Sequence, residues 1–163
     1  MRRAGFAEDT ALGAPVCRWV AEGIVLDVMP TDPGILGFTN RWFRPAIAAA
    51  HVVALPSGAG IRVVTAPYFL ATKLEAFDVR GGGDYLASHD LEDIVTLVDG
   101  RPEVVEEISR AGASLREFLA ERFSALVSVR SFVEALPAHL PPDAASQARL
   151  PLLLRRLRLI SRL

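Results

Sequence analysis

The sequence predicts an α+β fold, and two observations carry that prediction. The first half holds two pairs of β-rich runs, each pair joined by a tight turn, whereas the second half has helical periodicity almost throughout. Strands and helices that are segregated along a chain are typical of the α+β class. The length of 163 residues suits one domain. We therefore expect a single domain over residues 1–163, with a sheet-rich part at 15–65 and a helical part at 66–163.

Two β-hairpins make up the predicted sheet. The first joins the β-rich runs 17–20 and 24–29 across a tight turn at 21–23. The second joins the runs 51–55 and 61–64 around a turn that contains glycine and proline. We expect each hairpin to be antiparallel, because such short connections cannot join parallel strands.

Short segments flank the hairpins. Residues 1–14 show no clear periodicity, and we expect them to be loosely structured. Residues 30–34 contain two prolines and a glycine, which end the second strand with a turn. Residues 41–50 predict a short helix between the two hairpins.

Helices fill the second half of the chain. Thr65 is placed to cap the first, which runs to Phe77, and Ser88 is placed to cap the next, which runs to Val98. A flexible loop is expected over 80–84. Further helices are expected from Pro102, between Ser114 and Leu136, and from about Asp143 to Ser161 with an interruption at Pro151.

Charge and hydropathy bear on location and partners. The formal net charge is −1, which gives no global attraction to nucleic acid or to a membrane surface. No apolar run reaches the roughly 18 residues of a membrane span, and the first residues do not resemble a signal peptide, so we expect no membrane partner. Cys17 is the only cysteine, which excludes an intrachain disulfide and favours a reducing cytoplasm.

Lys73 is the only lysine among 18 basic residues. It lies in an apolar helical stretch rather than in a charged tail. Lysine carries a compact point charge on a flexible stem, whereas arginine presents a planar fork. One interpretation is an ordinary surface lysine. The other is a lysine that binds the phosphates of a nucleotide.

Asp27 is an acid within the apolar run of the first hairpin. Alternation places Val25, Asp27 and Met29 on one face of the strand. An unpaired charge in a buried strand is costly. Asp27 is therefore either an edge-strand acid that faces water or a metal-binding carboxylate at the rim of the sheet, where Mg²⁺ supplies the positive charge.

Asp90 and Asp93 lie three residues apart near the start of the Ser88-capped helix, and that spacing puts them on one helix face. They either complement the helix dipole or belong to a site. The glycine run at 81–83 lacks the Gly-Lys-Ser/Thr that a phosphate loop needs, so we reject that interpretation.

The last helix is amphipathic. Arg155, Arg158 and Arg162 share one face, and apolar residues share another. We interpret the basic face as solvated, and contact with RNA is the alternative.

Three segments together resemble a known family. They are the strand acid in 24–32, the lysine in 68–77 and the acid pair in 89–94. The order and spacing of these segments resemble those of the motifs in nucleotidyltransferases of the AbiEii/AbiGii toxin type, in the DNA polymerase β-like superfamily. The resemblance covers roughly residues 15–100.

The resemblance implies a partial nucleotidyltransferase-like sheet with helices packed on it. It implies Mg²⁺-dependent transfer of a nucleotidyl group from an NTP to an RNA or protein acceptor, and an antitoxin as partner. In this family pattern Asp27 corresponds to a catalytic, metal-binding carboxylate and Lys73 to the catalytic lysine that binds the nucleotide. Asp90 or Asp93 corresponds to a further active-site acid, and the pattern leaves open which.

The chain departs from the family pattern before Asp27. Residues 1–26 contain neither the Gly-Gly motif nor the Asp-x-Asp strand that carry the triphosphate and the other metal ligands. Either translation is assigned from an internal Met, or the gene is truncated, or the protein has lost the site, and we expect this chain to have little or no transferase activity. The alternative is a non-catalytic binding or interaction module on the same fold. A sheet without its neighbouring segment would expose an apolar edge, and we expect self-association through it.

Overall fold

The computed structural model describes residues 1–37, 39–81 and 83–163, and it confirms the predicted α+β class with a helical C-terminal half. The chain divides into two compact units, Met1–Asn40 and Arg41–Leu163. This division falls at residue 40, whereas the sequence places the change from sheet to helix at residue 65. The two predicted hairpins are both present, and each belongs to its own sheet and its own unit.

The first unit holds a three-stranded antiparallel sheet in the order β1-β2-β3. Its strands are β1 (Ala7–Glu8), β2 (Arg18–Ala21) and β3 (Ile24–Asp27). A 3₁₀ turn over Arg2–Ala4 precedes the sheet, and the short helix α1 (Pro33–Leu36) follows it. Strand β1 corrects the prediction that residues 1–14 are loosely structured, because Ala7–Glu8 pairs with β2. A two-residue strand has too little pattern to be read from sequence.

The β2–β3 hairpin is set by its turn. Glu22 and Gly23 both have positive φ, 45° and 82°, which is the geometry of a type I′ turn. Ala21 therefore pairs with Ile24, and Arg18 pairs with Asp27. The predicted hairpin is confirmed, with β3 ending at Asp27 rather than at residue 29.

The second unit begins with α2 (Phe43–Ala49) and a two-stranded antiparallel sheet of β4 (His51–Ala54) and β5 (Gly60–Val63). His51 pairs with Val63 in this hairpin, which confirms the second predicted hairpin. The helices that follow are α3 (Ala66–Arg80), α4 (His89–Gly100), α5 (Val104–Ser109), α6 (Ala113–Ser128), α7 (Arg130–Ala135), α8 (Ala144–Gln147) and α9 (Leu150–Ile160), with a 3₁₀ turn at Leu136–His139.

The caps of α3 and α4 differ from each other. Ser88 Oγ accepts a hydrogen bond from the Leu91 N–H at 3.4 Å, which confirms the predicted cap of α4. Thr65 precedes α3 but makes no side-chain cap bond, so the predicted Thr65 cap is wrong in that respect. Helix α3 also continues to Arg80, beyond the predicted end. Of the predicted loop at 80–84, Gly82 lies outside the described residues.

The core of the second unit lies between α3, α4, α6 and α9. Apolar side chains recur every three or four residues on each of these helices and are buried where the helices meet. The apolar stripes of α3, α4 and α9 are buried: Leu70, Leu74, Phe77, Leu91, Ile94, Val95, Val98, Leu153, Leu157 and Ile160. None of the helices in the described ranges has both the length and the apolar composition that a membrane span requires.

Candidate functional site

An ion-pair cluster joins α3 to α4. We use this name for Lys73 and Arg80 on α3 together with Asp90 and Asp93 on α4. Lys73 and Arg80 lie seven residues, or about two turns, apart, so they share one face of α3. Asp90 and Asp93 share one face of α4, as predicted. The packing of the two helices brings the two faces together.

Asp90 is the centre of the cluster. Its side chain is 6% exposed. Arg80 donates from Nε to Oδ2 and from Nη2 to Oδ1, each at 2.8 Å, in a bidentate pair. Lys73 Nζ donates to Asp90 Oδ1 at 3.3 Å. Both oxygens of this buried carboxylate are therefore satisfied by cations of the neighbouring helix.

The charge state of Asp90 follows from these contacts. Burial on its own raises the pKa of a carboxyl. The hydrogen bonds and charges of Arg80 and Lys73 outweigh burial and hold the pKa of Asp90 below its ordinary value. Asp90 is accordingly a carboxylate near neutral pH and is not poised to give or take a proton.

Lys73 contacts three neighbours. Besides Asp90, its ammonium pairs with Asp93, and it lies 5.7 Å from the centre of the Phe69 ring. The side chain of Lys73 is 25% exposed. The charges of Lys73, Arg80, Asp90 and Asp93 sum to zero, so the cluster holds no unbalanced positive charge for a phosphate.

Asp27 belongs to the other unit and has its own partner. Arg18, directly across the hairpin, donates from Nε to Oδ1 at 2.9 Å and from Nη2 to Oδ2 at 3.0 Å. This hydrogen bonding lowers the pKa of Asp27 and raises that of Arg18. The predicted metal carboxylate is thus a half-exposed member of a cross-strand ion pair.

In their observed positions, the carboxylates of Asp27 and Asp90 are not suited to bind Mg²⁺. Mg²⁺ takes oxygen ligands that are free to coordinate, yet both oxygens of Asp27 accept from Arg18, and both oxygens of Asp90 accept from α3. Over residues 1–37, 39–81 and 83–163, no three His, Cys, Asp or Glu side chains are grouped to hold a metal ion. The expectation of Mg²⁺ stays a prediction.

A groove of about 1040 Å³ opens elsewhere in the second unit. We call it the hairpin groove, because the ends of β4 and β5 form one wall and the first turn of α3, the end of α4 and the α5–α6 connection form the others. Its lining is mostly apolar and includes Val63, Pro67, Phe69, Leu97, Ala111 and Leu115. The sequence does not predict this groove, since its lining residues come from five separate segments.

Charged residues at the hairpin groove are paired with each other. Arg101 donates to both oxygens of Glu107, at 2.8 and 2.6 Å, and Arg110 donates to Glu106 at 2.5 Å. The hydrogen bonds from Arg101 lower the pKa of Glu107. Arg101 and Glu107 neutralise each other within the lining, the carboxylate that pairs with Arg110 lies just outside it, and most of the lining is apolar.

Two arginines, Arg149 just before α9 and Arg156 within it, bind the C-terminal end of α4. Arg149 donates to the carboxylate of Asp99, with Nη2 at 2.8 Å from Oδ2. Arg156 Nη1 donates to the carbonyl oxygens of Val98 and Asp99 at 2.9 and 2.5 Å, which caps the C-terminal end of α4. Arg155, on the predicted basic face, is exposed, in agreement with a solvated face.

Comparison with protein-family models, with curated proteins and with solved structures finds no match for this chain. The resemblance to the AbiEii/AbiGii type therefore stays a hypothesis that rests on the sequence segments alone.

Proposed function

We propose that this chain is a non-catalytic binding module, and that the hairpin groove holds a small, predominantly apolar organic ligand. The observation that carries the proposal is the groove itself. Its volume of about 1040 Å³ slightly exceeds the range of roughly 300–1,000 Å³ that is usual for small-molecule sites. Its apolar lining with a few polar groups also has the composition of such sites.

The ion-pair cluster supports the non-catalytic part of the proposal. A phosphate-binding lysine needs donors that are free to meet the ligand, whereas Lys73 already serves Asp90 and Asp93. For Lys73 to bind the phosphates of a nucleotide instead, its ion pairs with Asp90 and Asp93 would have to break. The cost of leaving Asp90 with fewer partners opposes that exchange, because a buried carboxylate without its donors is destabilising.

Titration with 8-anilino-1-naphthalenesulfonate, followed by amide NMR, tests the groove. We expect shifts to concentrate at residues 63–69, 96–101 and 110–115. Thr96 is exposed and lines the groove, so Thr96→Trp should occupy part of it and weaken the shifts. Ser124→Trp is the matched control, on an exposed helical position outside the groove. Shifts spread over the whole surface, or equal binding by both variants, contradict the proposal.

Nucleotidyl transfer is the second candidate function. One observation favours it: Lys73 and both candidate acids, Asp90 and Asp93, lie together on the α3–α4 pair. On this alternative the nucleotide is an NTP with Mg²⁺, the acceptor is RNA or protein, and an antitoxin restrains the activity. The absence of a second cysteine supports a cytoplasmic location under either proposal.

Incubation with each radiolabelled NTP, Mg²⁺ and total RNA tests the second candidate. The binding-module proposal expects no label on RNA or protein with the wild type or with Lys73→Ala. Robust Mg²⁺-dependent labelling by the wild type, lost in Lys73→Ala, would establish the transferase instead. Asp27→Ala is also tested in this assay, because the family resemblance implies that Asp27 binds the metal ion.

A further inference from the structure

Strand β3 is an edge of the sheet in the first unit. The strand order is β1-β2-β3, so within the described residues the outer side of β3 has no strand beside it. The ladder to β2 extends one residue past the strand, because the Val28 N–H donates to the Cys17 carbonyl at 2.8 Å. The paired segment therefore runs from Ile24 to Val28.

The backbone of β3 presents hydrogen-bonding groups outward. In an antiparallel pair, alternate residues exchange bonds with the neighbouring strand and the others point away from it. Val28 bonds to β2, and by the same alternation so do Ile24 and Leu26. The N–H and C=O groups of Val25 and Asp27 consequently face the open edge.

The side chains of this edge are apolar and exposed. Ile24, Val25, Leu26 and Val28 are 59, 60, 40 and 43% exposed. Natural sheets usually protect an edge with charges, prolines or bulges, since an exposed apolar edge is a template for another strand. The one charge on β3 is Asp27, and Arg18 of the same hairpin already binds it.

We propose that two copies of this chain associate through their β3 edges, antiparallel about a two-fold axis, with Leu26 of one copy opposite Leu26 of the other. Leu26 is the midpoint of the paired segment 24–28, so this register gives the longest overlap. It places Ile24 opposite Val28 and Asp27 opposite Val25. A shift that centres on Asp27 would put two like charges opposite each other, which is unfavourable.

The charges of this edge favour a second copy as the occupant. Each Asp27 stays neutralised by its own Arg18, and no charge of one copy needs a partner in the other. Apolar side chains meet apolar side chains on the face of Ile24, Leu26 and Val28, whereas Val25 meets Asp27 on the other face. A two-fold contact of this kind is self-complementary and closes as a dimer of six strands.

Cysteine cross-linking tests the proposed register. In a Cys17→Ser background, Leu26→Cys, Ile24→Cys and Val28→Cys are oxidised separately at equal concentration. Directly opposed residues of the non-bonded type have Cα atoms about 4.5 Å apart, within the range that a disulfide spans. We expect Leu26→Cys to form a covalent dimer at least ~10-fold faster than either of the other two variants. Mixing Ile24→Cys with Val28→Cys should restore rapid cross-linking between them.

A second measurement covers the case in which oxidation perturbs the hairpin. Light scattering of the wild type should show a mass that rises with concentration. Val25→Pro removes an outward N–H without removing a bond to β2, and proline is tolerated at such edge positions. We expect it to stay folded by circular dichroism and to stay monomeric. Wild-type chain that is monomeric at every concentration, or equal cross-linking of all three cysteine variants, overturns the proposal.

Discussion

Lys73 Nζ lies 3.3 Å from Asp90 Oδ1, and this contact ties α3 to α4 across the core of the second unit. The lone lysine of the chain is thereby a structural cation with two carboxylate partners. The same carboxylate receives the bidentate fork of Arg80. An interpretation of Lys73 that starts from its rarity points to a ligand, whereas its contacts point to the packing of two helices.

Loss of the Asp90 charge should destabilise the second unit. Asp90→Asn keeps the side-chain volume but removes the charge that Arg80 and Lys73 share, so we expect a loss of about 1–3 kcal/mol in the free energy of unfolding. Urea denaturation measures the change. Glu92→Gln is the matched control on the exposed face of the same helix and should stay within about 0.5 kcal/mol of the wild type. Equal effects of the two substitutions would show that Asp90 does not hold the helices together.

The same contact predicts a dependence of stability on pH. The pKa of Asp90 is lowered in the folded chain, against about 3.9 when unfolded. Its stabilisation is therefore present above about pH 4 and is lost as the pH falls through the lower, folded pKa. The difference in unfolding free energy between wild type and Asp90→Asn should shrink from pH 7 towards pH 2. A difference that stays constant over this interval would rule out the titration of Asp90 as its source.

Arg156 should stabilise the end of α4. Arg156→Ala removes the donor to the Val98 and Asp99 carbonyls, and we expect a loss of about 1–2 kcal/mol in the free energy of unfolding. Arg155→Ala, one residue earlier and exposed, is the control and should have almost no effect. Thermal and urea unfolding of the two variants compare them directly. If both arginines prove neutral, the capping role assigned to Arg156 is wrong.

The ion pair between Arg18 and Asp27 should affect the titration of Asp27. Hydrogen bonds from Arg18 lower the pKa of this carboxyl, so Arg18→Gln should raise it towards its ordinary value. Carbon-detected NMR of the Asp27 carboxyl follows the titration. Asp143 of the second unit, whose pKa is lowered by hydrogen bonds from Ser146, is the reference and should titrate alike in both proteins. An Asp27 pKa that does not move on substitution would exclude the cross-strand pair as its cause.

Much of the fold could be predicted from sequence because its signals are local. The Glu22-Gly23 turn, the Ser88 cap and the apolar periodicity of α3, α4 and α9 all act within a few residues. The Arg18–Asp27 ion pair could be predicted from the sequence as well. A two-residue turn fixes the register of a hairpin, and this register sets residue 18 opposite residue 27.

The candidate site was harder to predict because its contacts are tertiary. Spacing correctly placed Asp90 and Asp93 on one face, but nothing in the spacing shows that this face meets Lys73 on another helix. The glycine run predicts a loop that includes Arg80, whereas Arg80 follows Lys73 by two helical turns and shares its face of α3. No sequence motif marks the hairpin groove, since residues from β4 to α6 meet there only after folding.

A double-mutant cycle between Lys73 and Asp90 measures whether the two side chains stabilise each other in the folded chain. The unfolding free energies of wild type, Lys73→Met, Asp90→Asn and the double variant give the coupling between the two side chains. The structural role predicts a favourable coupling of about 0.5–2 kcal/mol, measured without nucleotide. A coupling of zero, together with binding of an Mg²⁺-bound NTP that Lys73→Met abolishes, would contradict the account and assign Lys73 to a ligand.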